Sequence, residues 1–310
     1  MAEDYPRTLM ELEQRFSTDE ACCEYLAKLR WPLGFVCPRC QAAEAWRMAR
    51  GLWLCRQCRH QTSVKAGTVF QDSRLPLMAW FRAMWHVTSQ KNGASALGLK
   101  RVMGWGSYET AWTCLHKLRR AMVRPGRDRL AGVVEVDETY IGGERPGKRG
   151  RGAAGKSLVV IAAQADGEKK IGRIRLLRVS SAAEAQLTPA VVGMVQPGSI
   201  VRTDDWNGYQ GLPAAGYERE ILRPTLELGE NLLPRCHRVA SLLKRWLLGT
   251  HQGAVRSKQL DYYLDEFTFR FNRRNSQSRG KLFYRLAQQA VQVGPSPYAH
   301  IVQPQAVGAG

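Results

Sequence analysis

Apolar residues recur at three- and four-residue steps along the first third of the chain, the period of helices with one buried face. Residues 17–29 open with Ser17-Thr18-Asp19-Glu20, an N-cap serine with a glutamate three positions later, and continue with Cys22, Leu26 and Leu29 on one side. Pro76 stands before a helical run over residues 77–87, where Leu77, Trp80, Phe81, Met84 and Trp85 form a stripe that must be buried. Residues 94–99 predict a short helix of small residues, Gly104-Trp105-Gly106 a turn, and residues 107–123 a second helix with Tyr108, Ala111, Trp112, Leu115, Leu118 and Met122 on one side. Helix, glycine turn and helix outline a helix-turn-helix. Lys117, Arg119, Arg120 and Arg124 on the second helix make a candidate DNA surface; a plain helical bundle is the alternative.

After Pro125, Gly126 and the charged Arg127-Asp128-Arg129 the period shortens to two. Residues 132–141 are β-rich, residues 142–155 form a basic loop, and residues 157–164 and 172–179 read as strands with Gly167 in the turn between them. A helix over residues 181–195 ends at Pro197-Gly198, and a strand over residues 199–203 stops at Asp204-Asp205. A short helix, a strand near residues 217–222 and a long helix over residues 235–248 follow. This alternation is an α/β order with a mixed sheet. The expected division is an N-terminal helix (1–30), a cysteine-bearing segment (31–70), a helix-turn-helix (75–125), the α/β domain (130–250) and a basic helical extension (251–290). The last 20 residues, rich in Pro, Gly and Ala, predict a frayed tail.

With 44% hydrophobic residues in 310, the chain can bury a core, which excludes a wholly disordered basic protein. Lys and Arg number 46 against 27 Asp and Glu, a net charge of +19 that favours a polyanionic partner, nucleic acid being the commonest. No stretch approaches the roughly 18 apolar residues of a membrane span, and the first residues lack signal-peptide order, so a cytoplasmic protein with no membrane partner is expected. Two Cys-x-x-Cys pairs, Cys37/Cys40 and Cys55/Cys58, lie fourteen residues apart and can gather four thiolates round one tetrahedral zinc ion, a structural zinc ribbon. Trp46, Arg47, Arg50, Trp53, Arg56, Arg59 and His60 surround the pairs, either as phosphate contacts or as a solvated charged face. Cys22, Cys23, Cys114 and Cys236 follow no such pattern and read as small hydrophobes or surface thiols.

Strand alternation places Glu135 and Asp137 on one face and Val134 and Val136 on the other, and a carboxylate among buried-strand valines is costly unless something positive neutralises it. Asp204 and Asp205 follow an apolar strand at the end where α/β sheets place ligands. A turn aspartate accounts for either alone; acids from two strands together suggest a divalent cation site.

At this point the chain resembles bacterial insertion-sequence transposases of the ISXO-like group. The resemblance rests on Arg30-Trp31-Pro32, on residues 136–143 (Val-Asp-Glu-Thr-Tyr-Ile-Gly-Gly), on Thr203-Asp204, on Leu243-Lys244-Arg245-Trp246 with Gly249-Thr250-His251, and on residues 263–267 with Arg270-Phe271-Asn272-Arg273-Arg274. It implies an RNase H-like catalytic domain: a mixed five-stranded sheet with flanking helices behind the zinc ribbon and helix-turn-helix. It implies a catalytic set of Asp137, Asp204, a third member on the following helix and a lysine seven residues beyond. Here the lysine is Lys244 and the third position is His237, where Glu or Asn is commoner in the group; Glu230 and Asp205 are substitutes. Seven residues are nearly two turns, so His237 and Lys244 share a helix face about 10 Å apart. The implied cofactors are structural Zn²⁺ and catalytic Mg²⁺ or Mn²⁺, the softer imidazole favouring manganese. The implied activity is metal-dependent cleavage at transposon ends and strand transfer into target DNA, by a homodimer or higher oligomer on double-stranded DNA at the nucleoid. Arg145, Lys148, Arg149, Arg151, Lys156, Arg245, Arg270, Arg273 and Arg274 would grip DNA backbones, and Phe267, Phe269 and Phe271 pack a core. A zinc-ribbon regulator without enzymatic activity and an RNase H-like nuclease without strand joining are the alternatives.

Overall fold

The computed structural model describes residues 3–49, 51–124, 126–142, 156–225, 231–253 and 255–303. The described residues divide into two compact units, one within 1–126 and 275–303 and the other within 127–274.

The first unit begins with α1 (Leu9–Arg15) and α2 (Asp19–Arg30). Thr18, not Ser17, caps α2, its hydroxyl accepting from the Ala21 amide at 3.2 Å. The reason lies one residue further on: the Asp19 carboxylate accepts from the Leu77 and Met78 amides at 3.1 and 3.0 Å, capping a later helix that has no local cap. Strands β1 (Ala45–Arg47), β2 (Leu52–Cys55) and β3 (Gln61–Ser63) form an antiparallel sheet in that order. Helices α3 (Leu77–Ser89), α4 (Ala96–Met103) and α5 (Tyr108–Ala121) follow, and Leu77, Trp80, Phe81, Met84 and Trp85 are all buried as the stripe requires. Gly104 ends α4 at φ +65°, the left-handed cap that glycine takes without strain.

The second unit holds β4 (Val133–Ile141), β5 (Ser157–Asp166), β6 (Lys170–Val179), α6 (Glu184–Met194), β7 (Ile200–Thr203), β8 (Glu218–Ile221), α7 (Pro234–His251) and α8 (Leu260–Asn272). The five strands form one sheet in the order β6-β5-β4-β7-β8, antiparallel across the first three and parallel across β4, β7 and β8. Val134, Val136, Val160 and Val201 pack with α6 on one side; Val159, Ile161, Ile174 and Leu176 pack on the other with Val239 and Leu243 of α7 and Phe267 and Phe271 of α8. β5 is therefore apolar on both faces, with no alternation to read. All three phenylalanines of α8 are buried, as expected of core residues.

The chain then returns to the first unit with α9 (Arg279–Ala290) and α10 (Tyr298–Val302). The expected extension over residues 251–290 thus belongs to two bodies, α8 in one and α9 in the other. Phe283 of α9 meets Phe16, Tyr25 and Phe81, an aromatic cluster that closes the N-terminal helices. Gly280 permits this closure: a Cβ there would run into the Pro6 carbonyl. The frayed tail is corrected in part, because Val291, Val293 and Ile301 are buried and Trp112 of α5 meets Tyr298 edge to face. Apolar residues before and between the prolines supply a burial that composition alone concealed.

Candidate active site

The four cysteines form a compact group. Cys37 Sγ lies 3.6 Å from Cys58 Sγ, and Cys40 Sγ 3.5 Å from Cys55 Sγ. Tetrahedral zinc with Zn–S bonds of about 2.3 Å sets sulfurs about 3.8 Å apart, so the group fits the ion. Both pairs are built alike: Gln41 and Arg59, each just after the second cysteine, have φ of 62° and 56°, and their amides donate to the Cys37 and Cys55 carbonyls. Nearby arginines lie on tryptophans, Arg47 3.9 Å from the Trp53 ring centroid and Arg59 4.7 Å from that of Trp46. Cys22, Cys23, Cys114 and Cys236 are buried.

In the helix-turn-helix region, Lys117 and Arg119 are corrected as DNA contacts. Their side chains are buried; the Lys117 ammonium donates to the Gln71 carbonyl at 2.9 Å and the Arg119 guanidinium reaches the Ala94 carbonyl. Helix α5 is packed by α3, α4, α9 and α10, so its C-terminal half has little free face. Arg120 and Arg124 are exposed, and so is Tyr108, which was expected on the apolar side but stands in the first turn.

On the sheet of the second unit, β4 and β7 run parallel with Val133 level with Ile200 and Glu135 with Arg202. Continued beyond the last paired residues, that register leads from Asp137, in the middle of β4, toward Asp204, just past the C-terminal end of β7, and the Asp204 charge is felt at Asp137. The loop carrying Asp204 is fixed by Arg219 of β8, which donates to the Thr203 hydroxyl and to the Asp204 and Trp206 carbonyls at 3.0, 3.0 and 3.1 Å. His237, in the first turns of α7, presents Nε2 3.4 Å from Asp137 Oδ2. Its Nδ1 lies 2.5 Å from Asn231 Oδ1, a contact that orients the ring toward Asp137.

Burial of the Asp137 carboxyl, followed by the Glu138 charge, pushes it up to about 6; Asp204 adds to this, while the Glu138 amide and His237 oppose it. A carboxylate pushed up by burial and by neighbouring anions, with an imidazole nitrogen within reach, is a donor set suited to a divalent cation. Glu138 itself accepts from the Tyr209 hydroxyl at 2.7 Å, and burial and that carboxylate hold the phenol well above its usual range.

Asp205 does not substitute for these residues: it is exposed and paired with Arg223 at 3.0 Å. Glu230, Arg145, Lys148, Arg149 and Arg151 lie outside the described residues. Lys244 and Arg245 are exposed. Arg270, Arg273 and Arg274 are corrected from a free cationic cluster to side chains engaged within their own unit. Arg270 is paired with the buried Glu266 at 2.8 Å, Arg273 lies over Phe269, and Arg274 donates to the Ile171 and Gly172 carbonyls of β6.

Sequence reasoning missed Glu135 as a structural acid. It is 2% exposed and bound to Arg235 at 2.6 Å. The cost of a carboxylate among buried valines was its signal, since it demanded a cation that only the fold identifies. Asn231, Arg219 and Tyr209 left no comparable trace.

Residues 129–272 match the ISXO2-like transposase domain and residues 17–61 the transposase zinc-ribbon domain. An uncharacterized protein in transposable element ISH50 of Halobacterium salinarum is 28% identical over 276 residues, covering 82% of this chain and 91% of that protein. The two matched domains follow one another in the order and at the positions of the four-cysteine ribbon and the five-stranded unit, so the chain is similar to ISXO2-like transposases in both of its matched parts.

Proposed function

We propose that this protein is a transposase that cuts the ends of its element and joins them to target DNA at the place where Asp137, Asp204 and His237 meet. The reading is supported by the meeting of three segments distant in sequence: His237 Nε2 lies 3.4 Å from Asp137 Oδ2, and the charge of Asp204 helps to push the Asp137 carboxyl up. Divalent ions, when bound by this set, neutralise charge at the reacting phosphate oxygens. Asp137 and Asp204 would hold the ions as carboxylates, and His237, oriented by Asn231, would add a nitrogen donor. Lys244 and Arg245, exposed on the same helix as His237, bind phosphates on either side of the reacting one. Arg120 on α5, Arg124 just beyond it and the aromatic and basic ribbon bind element-end duplex. Two ends must be held together for joining, which calls for at least a dimer.

The test is incubation of the full chain with Mg²⁺ or Mn²⁺, labelled element ends and a plasmid target. Joined products in the wild type, lost in both Asp137→Ala and Asp204→Ala, support the reading. Binding without cutting in either metal supports a regulator, and cutting without joining supports a nuclease. Full activity in His237→Ala removes that side chain from the site.

A further inference from the structure

Helix α7 carries His237 but has no cap of its own. Its N-cap residue is Leu233, Pro234 follows, and no local side chain accepts from the first turn. The free amides of Arg235 and Cys236 instead donate to Glu135 Oε2, at 2.7 and 3.2 Å, from a strand 100 residues earlier. The other oxygen, Oε1, accepts from Arg235 Nη1 at 2.6 Å. Arg235 spends its remaining donors on the turn between β5 and β6, at the carbonyls of Lys170, Gly167 and Glu168. Both partners are buried, their side chains 2% and 9% exposed.

The clamp and the site are consecutive steps of the same two elements. Glu135 precedes Asp137 by two residues on one face of β4, and Arg235 precedes His237 by two on α7. Where Glu135 holds the helix therefore sets how far His237 stands from Asp137. A buried ion pair is a poor source of stability, since well-packed apolar residues commonly replace one without loss. What the pair supplies that apolar packing cannot is a directional tie between strand and helix.

We infer that Glu135 and Arg235 are positioning residues, a buried clamp that caps α7 from across the sheet and fixes His237 against Asp137. The inference rests on the proposed metal-dependent site. Its test compares the wild type with Glu135→Gln and with the apolar pair Glu135→Leu/Arg235→Met. The measurements are Mn²⁺ affinity from the paramagnetic resonance of free Mn²⁺, single-turnover joining at saturating DNA, affinity for element ends, and Tm.

The double variant should stay folded with a lowered Tm, since the Arg235 and Cys236 amides lose their acceptor. It should lose about 10- to 100-fold in Mn²⁺ affinity and at least as much in joining rate, the scale of losing a tie to a metal ligand. Its DNA affinity should be little changed. Glu135→Gln keeps an acceptor for the helix amides and should fall between. A folded double variant with wild-type Mn²⁺ affinity overturns the clamp; should that variant not fold, the Mn²⁺ affinity of Glu135→Gln, measured well below its Tm, decides the matter in the same way. A wild type that binds Mn²⁺ but joins no DNA overturns strand transfer alone, while the Mn²⁺ comparison still judges the clamp. A wild type that binds no Mn²⁺ overturns both.

Discussion

Glu135 and Asp137 leave the same face of β4 two residues apart, one neutralised by Arg235 and the other crowded by Glu138 and Asp204. Asp137 is therefore a carboxylate the fold would rather keep protonated. Its value in the folded chain, about 6, lies above the ordinary 3.8. The fold thus gains stability from the protonated acid below pH 3.8 and loses that gain as the pH rises through 6. Asparagine copies the neutral acid at every pH. Without added divalent ions, Asp137→Asn should be more stable than the wild type at pH 8, on the order of 2 kcal/mol. The difference should shrink to nothing near pH 4, and Mn²⁺ should raise the Tm of the wild type but not of the variant. Thermal unfolding across that range checks this; an Asp137→Asn protein less stable at pH 8 would show that the acid is already satisfied.

Helix α5 shows that sequence position on a helix does not fix exposure. Three basic residues in its last turns and a fourth just past its end look alike in the sequence, yet Lys117 and Arg119 are sealed among neighbouring helices while Arg120 and Arg124 face out. Replacing Lys117 by Met leaves the Gln71 carbonyl without its donor and should cost about 1–3 kcal/mol of stability, with DNA affinity unchanged in the folded fraction. Arg120→Ala should do the reverse, weakening element-end binding and reducing its salt dependence while leaving Tm in place. Paired denaturation and binding titrations test the contrast. If Arg120→Ala binds like the wild type at every salt concentration, α5 does not present that residue to DNA. The order of the main helices and strands was legible where each keeps its own period, although β5, apolar on both faces, shows none, and the cysteine ribbon was legible from local spacing. The burial of Lys117, the split between α8 and α9 and the docking of α10 were not, because each depends on a partner distant in sequence. The Glu135 clamp was legible by half: the need for a cation could be read, but not that Arg235 would meet it.

At the scale of the whole chain, two units carry separate cores, and the first contains a ribbon of three short strands, only three or four residues each. So small a sheet buries too little to order itself, and the four thiolates round their ion supply what a core cannot. The second unit rests instead on two apolar layers flanking its sheet, with no cysteine ligand among them. Loss of zinc should therefore act on one function and spare the other. In Cys37→Ser/Cys40→Ser the chain should lose its bound zinc and bind element ends more weakly. The fall of affinity with salt should become shallower too, since a net charge of +19 works through phosphates and fewer would be neutralised. Mn²⁺ affinity at Asp137 should hold. Metal analysis, binding across a salt series and Mn²⁺ titration on one preparation make the comparison. If Mn²⁺ binding fell together with zinc, the catalytic unit would depend on the ribbon for its fold. If zinc were lost with DNA binding intact at every salt concentration, the ribbon would have no part in holding the ends.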